Sequence, residues 1–154
     1  MAQNQGWQEF QCIHPLLTDT LKANGMPHPT LIQSEVFSSY GYYHDFLIAA
    51  QTGSGKTLAF AAPILSELHT LKHNYGLEHF PGKIMALILT PTRELAQQIH
   101  GNISLALSAF NKDVAVEKQL TVSCIIGGMS KEKQVRILRQ HRPQVIIGTP
   151  GRLH

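Results

Sequence analysis

Short apolar runs alternate along the chain with longer segments in which apolar residues recur every three or four positions. Each run is four to seven residues long, mainly aliphatic or β-branched, and followed by turn-forming residues, which is typical of a strand. The runs show little polar alternation, so we expect strands covered on both faces, as in a parallel sheet. The predicted strands are Asp45–Ala50, Ile84–Thr90, Leu120–Ile126 and Gln144–Gly148.

Helical patterns occupy the segments between these runs. Lys56–Leu71 has the apolar spacing of an amphipathic helix, and Pro63 is expected to bend it. Thr92 and Ser130 are suited to cap the helices that follow them. The predicted helices are Leu16–Ala23, Leu31–Tyr40, Lys56–Leu71, Thr92–Phe110 and Ser130–Gln140. Strands that alternate with helices predict an α/β fold, a mainly parallel sheet flanked by helices with right-handed crossovers.

Composition narrows the class of protein. A length of 154 residues suits one domain, and 43% hydrophobic against 15% charged residues excludes a disordered tail. Two cysteines, Cys12 and Cys124, are too few for a disulfide scaffold. No apolar run approaches a membrane span, and the first residues lack a signal-peptide core. These features predict an intracellular, soluble protein without a membrane partner.

The positive charge is concentrated near the C-terminal end. Residues 130–152 carry a net charge of +5, whereas the rest of the chain carries −2. Such a segment suits contact with a phosphate backbone, although a solvated helix face has the same composition. The charge by itself therefore does not decide between these two interpretations.

A phosphate-binding loop joins the first predicted strand to a helix. Ala50 stands where the strict pattern has its first Gly, and the remaining pattern is complete. Glycines allow successive N–H groups to face phosphate oxygens, and the helix N-terminus adds its dipole. Lys56 and Thr57 are the candidate catalytic residues, Lys56 for the β- and γ-phosphates and Thr57 for Mg²⁺. The predicted nucleotide-binding residues are Gln51, Thr52, Gly53, Ser54, Gly55, Lys56 and Thr57.

Further motifs surround this loop in a fixed order. Pro29-Thr30-Leu31-Ile32-Gln33 precedes it, Pro91-Thr92-Arg93-Glu94 follows the second strand, Gly127-Gly128 the third, and Thr149-Pro150-Gly151-Arg152 the fourth. Together these motifs resemble the first RecA-like domain of DEAD-box RNA helicases, from Trp7 to the last residue. The resemblance implies a RecA-like P-loop fold and an ATP-dependent RNA helicase that unwinds short duplexes or remodels RNA–protein complexes.

The resemblance also implies how adenine is recognised. Thr30 and Gln33 match the family's Q motif, in which the Gln amide reads the adenine edge with both a donor and an acceptor. An upstream aromatic stacks on adenine in the family, and Trp7 fits that spacing slightly better than Phe10. Either ring could instead simply pack an N-terminal helix. Met26 departs from the family, which usually has an aromatic residue there.

The later motifs match those by which the family holds RNA. Loops at strand ends present N–H groups to phosphates, so contacts with the backbone rather than the bases are expected. Arg93 and Arg152 either touch phosphates or support neighbouring loops, and both alternatives stay open. The predicted RNA-binding residues are Pro91, Thr92, Arg93, Glu94, Gly127, Gly128, Thr149, Pro150, Gly151 and Arg152.

The motifs predict a helical segment with the Q motif over residues 1–40 and a partial ATP-binding domain over 41–154. The family's Asp-Glu-Ala-Asp motif and second RecA-like domain are expected beyond residue 154, so we expect a fragment that is inactive alone. Gly127-Gly128-Met129-Ser130, Lys133-Gln134 and Trp7 resemble the branch linked to large-ribosomal-subunit assembly. That resemblance implies pre-ribosomal partners and a nuclear or nucleolar location, with the cytoplasm otherwise.

Other functions fit part of the pattern. A DNA helicase of the same superfamily would share the phosphate loop, a small-molecule P-loop kinase would lack the later motifs, and a nucleotide-responsive binding module would share everything. His69 and His73 lie one helical turn apart, and with His79 they raise a metal-site hypothesis. Surface histidines of a helix are the favoured interpretation, because no third ligand is predictably close.

Overall fold

A computed structural model describes residues 6–41, 44–76 and 83–153 of the chain. The chain divides into two units, residues 1–70 and 71–154. This division falls within a long helix, whereas the division expected from the motifs after residue 40 stays a prediction. No helix in the described part of the chain is long and apolar enough to cross a membrane.

The N-terminal unit is helical where it is regular. A 3-10 turn at Trp7–Glu9 is followed by α1 (Pro15–Ala23), α2 (Leu31–Ser39) and the start of α3 (Lys56–Tyr75). Aromatic and aliphatic side chains form its core, and burial of such side chains drives packing. The largest fully buried ones are Trp7, Leu17, Leu21 and Leu65.

The C-terminal end of α3 differs from expectation, and the bend expected at Pro63 stays a prediction. The helix extends four residues past Leu71 and continues through Pro63. Pro63 lacks an N–H and so removes one helical hydrogen bond, but its ring is buried among the helix's apolar residues. Burial of the apolar face keeps this position helical, because tertiary packing supplies most helical stability in proteins.

A parallel sheet organises the C-terminal unit. Strands β1 (Ala86–Leu89), β2 (Val122–Ile125) and β3 (Val145–Gly148) are arranged in the order β1-β3-β2. The central strand pairs with both neighbours, so that Ile146 lies opposite Leu87 on one side and Ser123 on the other. Every residue of β3 is buried, as expected for a strand covered on both faces. The same expectation is wrong for β1, in which Leu87 and Leu89 are exposed.

Helices α4 (Arg93–Asn111), α5 (Lys131–His141) and α6 (Pro150–Leu153) follow the three strands in turn. Both predicted caps are confirmed. The Thr92 hydroxyl accepts from the Leu95 N–H at 3.2 Å, and the Ser130 hydroxyl accepts from the Lys133 N–H at 3.2 Å. These bonds satisfy N–H groups that the first helical turn leaves without partners.

Three of the four predicted strands are confirmed, with shorter ends. The prediction for Asp45–Ala50 is wrong, because residues 44–50 have no regular structure and Leu47 is 99% exposed. A strand is stable only when its backbone groups are paired, and the described sheet contains three strands drawn from residues 86–148. An apolar run predicts a strand but does not provide the neighbour that a strand requires.

Candidate nucleotide site and RNA interface

The phosphate loop has the backbone shape that its glycines predict. Gly53 has φ +82° and Gly55 has φ +96°, which are left-handed conformations that favour glycine. A side chain at Gly55 would also collide with Gln33. The loop leads directly into α3, which begins at Lys56 and directs its free N–H groups towards the loop.

Two side chains of the loop show how it can receive phosphate. The ammonium group of Lys56 donates to the carbonyl oxygens of Ala50 at 2.6 Å and Gln51 at 2.7 Å, which leaves it one further N–H. The Ser54 hydroxyl is buried and has no hydrogen-bond partner among the described residues. A buried hydroxyl without a partner costs about 1–3 kcal/mol, so a ligand oxygen at this position is favourable.

The residues of the loop therefore fit a nucleotide with Mg²⁺. Thr57 is half-buried at the second position of α3, where its hydroxyl can serve as a metal ligand. Groups of three or more His, Cys, Asp or Glu side chains that could hold a metal do not occur in residues 6–41, 44–76 and 83–153. His69 and His73 thus gain no third ligand there, and His79 lies outside the described residues.

Gln33 joins helix α2 to the phosphate loop. Its side-chain oxygen accepts from the Thr30 N–H at 2.9 Å, and its side-chain nitrogen donates to the Gly55 carbonyl at 3.1 Å. The residue is 3% exposed. An amide has two N–H groups and two lone pairs, so one donor and one acceptor remain for a ligand. The structure thus places Thr30 and Gln33 beside the loop, as the Q-motif resemblance implies.

The aromatic residues upstream have packing roles. Trp7 is fully buried, and its indole N–H donates to the Met26 carbonyl at 2.9 Å. Phe37 packs against Trp7 with ring centroids 6.1 Å apart and against Phe10 at 5.3 Å. Neither ring presents an open face to a ligand, so the expected stacking of adenine on Trp7 does not describe this structure. Sequence spacing identified the aromatic position but could not reveal its burial.

The three later motifs follow the carboxyl ends of parallel strands, so they lie at one edge of the sheet. Pro91–Glu94 follows β1, Gly127-Gly128 follows β2, and Thr149–Arg152 follows β3. Thr90 connects two of them, since its N–H donates to the Gly148 carbonyl at 2.9 Å and its hydroxyl to the Thr92 carbonyl at 3.0 Å. The structure therefore brings the predicted RNA-binding residues together.

The two residues of the Gly127-Gly128 motif have different surroundings. Gly128 has φ +94°, which requires glycine for conformation. A methyl group at Gly127 would lie 2.5 Å from Nη2 of Arg93, so the end of this flexible side chain would have to shift. Arg93 is exposed at the start of α4, so its charge is accessible to a phosphate.

Arg152 occupies a different environment. It is half-buried, its Nε donates to the Gln134 side-chain oxygen at 2.6 Å, and its Nη2 donates to the Met129 carbonyl. Nearby, the pKa of Glu132 is lowered by hydrogen bonds from its own backbone and from Ser130, with the charges of Arg152 and Lys131 adding to the effect. Arg152 thus supports a neighbouring loop in this structure, which favours one of the two alternatives left open by the sequence.

Comparison with known proteins identifies the family. Residues 30–154 match the family model described as DEAD/DEAH box helicase. The chain belongs to the DEAD/DEAH box helicase family. DEAD-box ATP-dependent RNA helicase 13 of Oryza sativa subsp. japonica is 37% identical over 159 residues, which cover 96% of this chain and 18% of that protein. The DEAD-box resemblance is confirmed, and the kinase alternative is excluded.

Solved structures of DEAD-box helicases have the same fold. The RNA-helicase Prp28 from Chaetomium thermophilum bound to ADP has a TM-score of 0.72 at 34% identity, covering 97% of this chain and 33% of that one. Mss116 bound to ssRNA and UDP-BeF has a TM-score of 0.77 at 25% identity, covering 94% of this chain and 27% of that one. The fold is therefore the RecA-like α/β fold that the sequence predicts. The chain spans about a fifth of the length of the curated relatives it matches.

One residue that makes contacts in this region, Gln134, was not among the predicted site residues. Gln134 appeared only as part of a subgroup resemblance, yet it is the hydrogen-bond partner of Arg152. A usable signal existed, because Gln134 is the uncharged polar residue four positions after the Ser130 cap in a helix otherwise rich in charge. Spacing alone does not tell which face of such a helix is buried.

Proposed function

We propose that residues 1–154 are the ATP- and RNA-binding N-terminal portion of an ATP-dependent DEAD-box RNA helicase. The whole protein couples ATP binding and hydrolysis to local RNA unwinding or RNA–protein remodelling. The observation that carries this proposal is the bond from the Gln33 amide to the Gly55 carbonyl. This bond joins the side chain proposed to read adenine to the phosphate loop. A site that binds only phosphate would not need such a side chain.

Each residue of the loop has a defined role in this proposal. Lys56 provides a positive charge to the β- and γ-phosphates, and the Ser54 hydroxyl donates to a phosphate oxygen. Thr57 holds Mg²⁺, which when bound neutralises charge on those phosphates. Prp28 bound to ADP supports the adenine nucleotide as ligand, because that structure shares the fold at 34% identity. Trp7 is left out of this site because it is buried.

The proposed RNA contact uses the sheet edge of the C-terminal unit. Backbone N–H groups of the three loops and the exposed Arg93 guanidinium hold the sugar–phosphate chain. Mss116 bound to ssRNA supports this assignment by its shared fold. Aromatic residues that could stack on bases are absent from the motif residues 91–94, 127–128 and 149–152, so contacts without base specificity are expected. Pre-ribosomal partners and a nucleolar location stay predictions of the branch resemblance.

Nucleotide selectivity tests the proposal directly. Calorimetric titration of the chain with Mg·ADP and Mg·GDP should show tighter ADP binding, because guanine misplaces its donor and acceptor opposite Gln33. Gln33→Ala should remove most of the difference, worth about 1–3 kcal/mol. Gln97→Ala, an exposed position in α4, is the matched control and should retain selectivity. Equal affinities for ADP and GDP in the unmutated chain would contradict the adenine assignment.

A further inference from the structure

Gln134 lies at the centre of an unusual set of contacts in α5. All eleven residues of this helix are described, and Gln134 is the one that is buried, at 3% exposure. Its side-chain nitrogen donates to the Ile126 carbonyl at 2.6 Å, while its oxygen accepts from Arg152 at 2.6 Å. A buried amide with both ends bonded is fixed in orientation, because either bond lost would leave a polar group without a partner.

Arg152 extends the same set of bonds to the other side of the glycine pair. Its Nη2 donates to the Met129 carbonyl, so two linked side chains bind the carbonyls that flank Gly127-Gly128. We call these three bonds the Gln134–Arg152 link. Gly128 has φ +94°, and glycine is the residue that loses most conformational freedom when it is ordered. The link therefore restrains the part of the loop that is intrinsically least restrained.

We propose that Gln134 is a positioning residue for RNA binding, which fixes the Gly127-Gly128 loop through the Gln134–Arg152 link. This inference rests on the proposed RNA-binding function. An ordered loop presents its N–H groups to phosphates without the entropic cost of ordering them on binding. Arg152 then acts through the loop, and Arg93, which is exposed beside Gly127, is the side chain that contacts phosphate.

Salt dependence separates these two roles. A side chain that neutralises a phosphate contributes about 0.7 to the slope of log K against log salt for single strands, whereas a residue that only shapes a loop contributes to affinity alone. Affinity of the chain for a short fluorescein-labelled oligouridine would be measured by anisotropy over a range of salt concentrations. The variants are Gln134→Met, Arg152→Gln, their double variant and Arg93→Gln, with Gln140→Met at an exposed position of α5 as matched control.

We expect Gln134→Met and Arg152→Gln each to weaken binding about tenfold, which corresponds to about 1.4 kcal/mol. The double variant should be no weaker than either single variant, because both break the same link. Neither should change the salt slope, whereas Arg93→Gln should reduce its magnitude by about 0.7. A reduced slope for Arg152→Gln, or tenfold losses that simply multiply in the double variant, would overturn the proposal.

Hydrogen exchange of the free protein tests the link without RNA. Exchange of the Gly127, Gly128 and Met129 amides, followed by NMR, should be about tenfold faster in Gln134→Met than in Gln140→Met, with the β3 amides unchanged. If Gln134→Met does not fold, Arg152→Gln replaces it in this test, because it breaks the same link at a half-buried position. Unchanged loop exchange would reject the link. If the unmutated chain fails to bind oligouridine, the RNA-binding function fails, whereas the exchange result still decides whether the link exists.

Discussion

The phosphate loop and the Gly127-Gly128 loop after β2 both depend on glycine, but their polar side chains are used differently. In the phosphate loop the polar side chains keep capacity for a ligand. The Ser54 hydroxyl is buried and finds no partner in the part of the chain that the structure describes, and Lys56 bonds to carbonyls of its own loop. The loop after β2 is held by Gln134 and Arg152, which bind the carbonyls on both sides of its glycines.

This difference indicates two routes to binding a polyanion. The phosphate loop can exchange bonds from Lys56 to neutral carbonyl oxygens for bonds to charged phosphate oxygens, so ligand should stabilise it strongly. The Gly127-Gly128 loop is already held in place by hydrogen bonds, so RNA should change the stability of this loop little. Its affinity for RNA should instead come from preorganisation. Substitutions that remove a ligand-binding group should therefore affect the phosphate loop most, and substitutions of glycine should affect the loop after β2 most.

The largest expected effect concerns ATP hydrolysis. We expect no RNA-stimulated ATP turnover from residues 1–154, whose sequence contains no Asp-Glu-Ala-Asp motif. An arginine that a second domain provides across the nucleotide cleft can raise the rate of phosphoryl transfer by ~10³–10⁵. A steady-state assay with and without single-stranded RNA measures this, with a longer chain that includes the motif as control. Turnover near ~1 s⁻¹ from residues 1–154 would contradict the mechanism.

Removal of the positive charge in the phosphate loop should abolish the response of this loop to nucleotide. Lys56→Ala is expected to lose the stabilisation by Mg·ADP, which amounts to about 2.7 kcal/mol at a ligand concentration about 100 times Kd. Without ligand its melting temperature should change little, because water can replace its exposed bonds to loop carbonyls. Thermal melting with and without Mg·ADP measures both quantities. Lys22→Ala on the exposed face of α1 should respond to ADP like the parent, and a similar response from Lys56→Ala would show that the loop is not the site.

Glycine substitutions test whether the Gly127-Gly128 loop depends on its backbone conformation. Gly128→Ala places a side chain at φ +94° and should destabilise the chain by about 1–2 kcal/mol. Gly101→Ala, within α4 where an added methyl group meets nothing, should stabilise it by about 0.5–1 kcal/mol. Denaturant unfolding gives both free energies of unfolding. Equal effects of the two substitutions would show that the loop conformation carries no strain for other residues.

The sequence predicted the parts of this molecule that depend on local chemistry. The caps at Thr92 and Ser130, the glycine-dependent loops and three strands were found because spacing and residue type determine them. Contacts distant in sequence were not accessible in this way. The segment 45–50 was apolar enough for a strand yet pairs with no strand in the described ranges of the chain. Gln134 finds its hydrogen-bond partners at residues 126 and 152, which are distant in sequence.

The smallest expected effect concerns Trp7, the only tryptophan of the chain. Its ring is fully buried, packs on Phe37 and donates to the Met26 carbonyl, so adenine can stack on it only if these contacts break. The aromatic pair and the hydrogen bond are each worth about 0.5–1.5 kcal/mol, which opposes such a movement. We therefore expect an emission maximum typical of a buried indole and no change in tryptophan fluorescence when Mg·ADP saturates the chain. Calorimetry on the same sample establishes saturation, and Lys56→Ala provides the sample without bound nucleotide. A quench that saturates with the calorimetric Kd would show that the ring leaves its packing to stack on the base, as the spacing of the sequence first indicated.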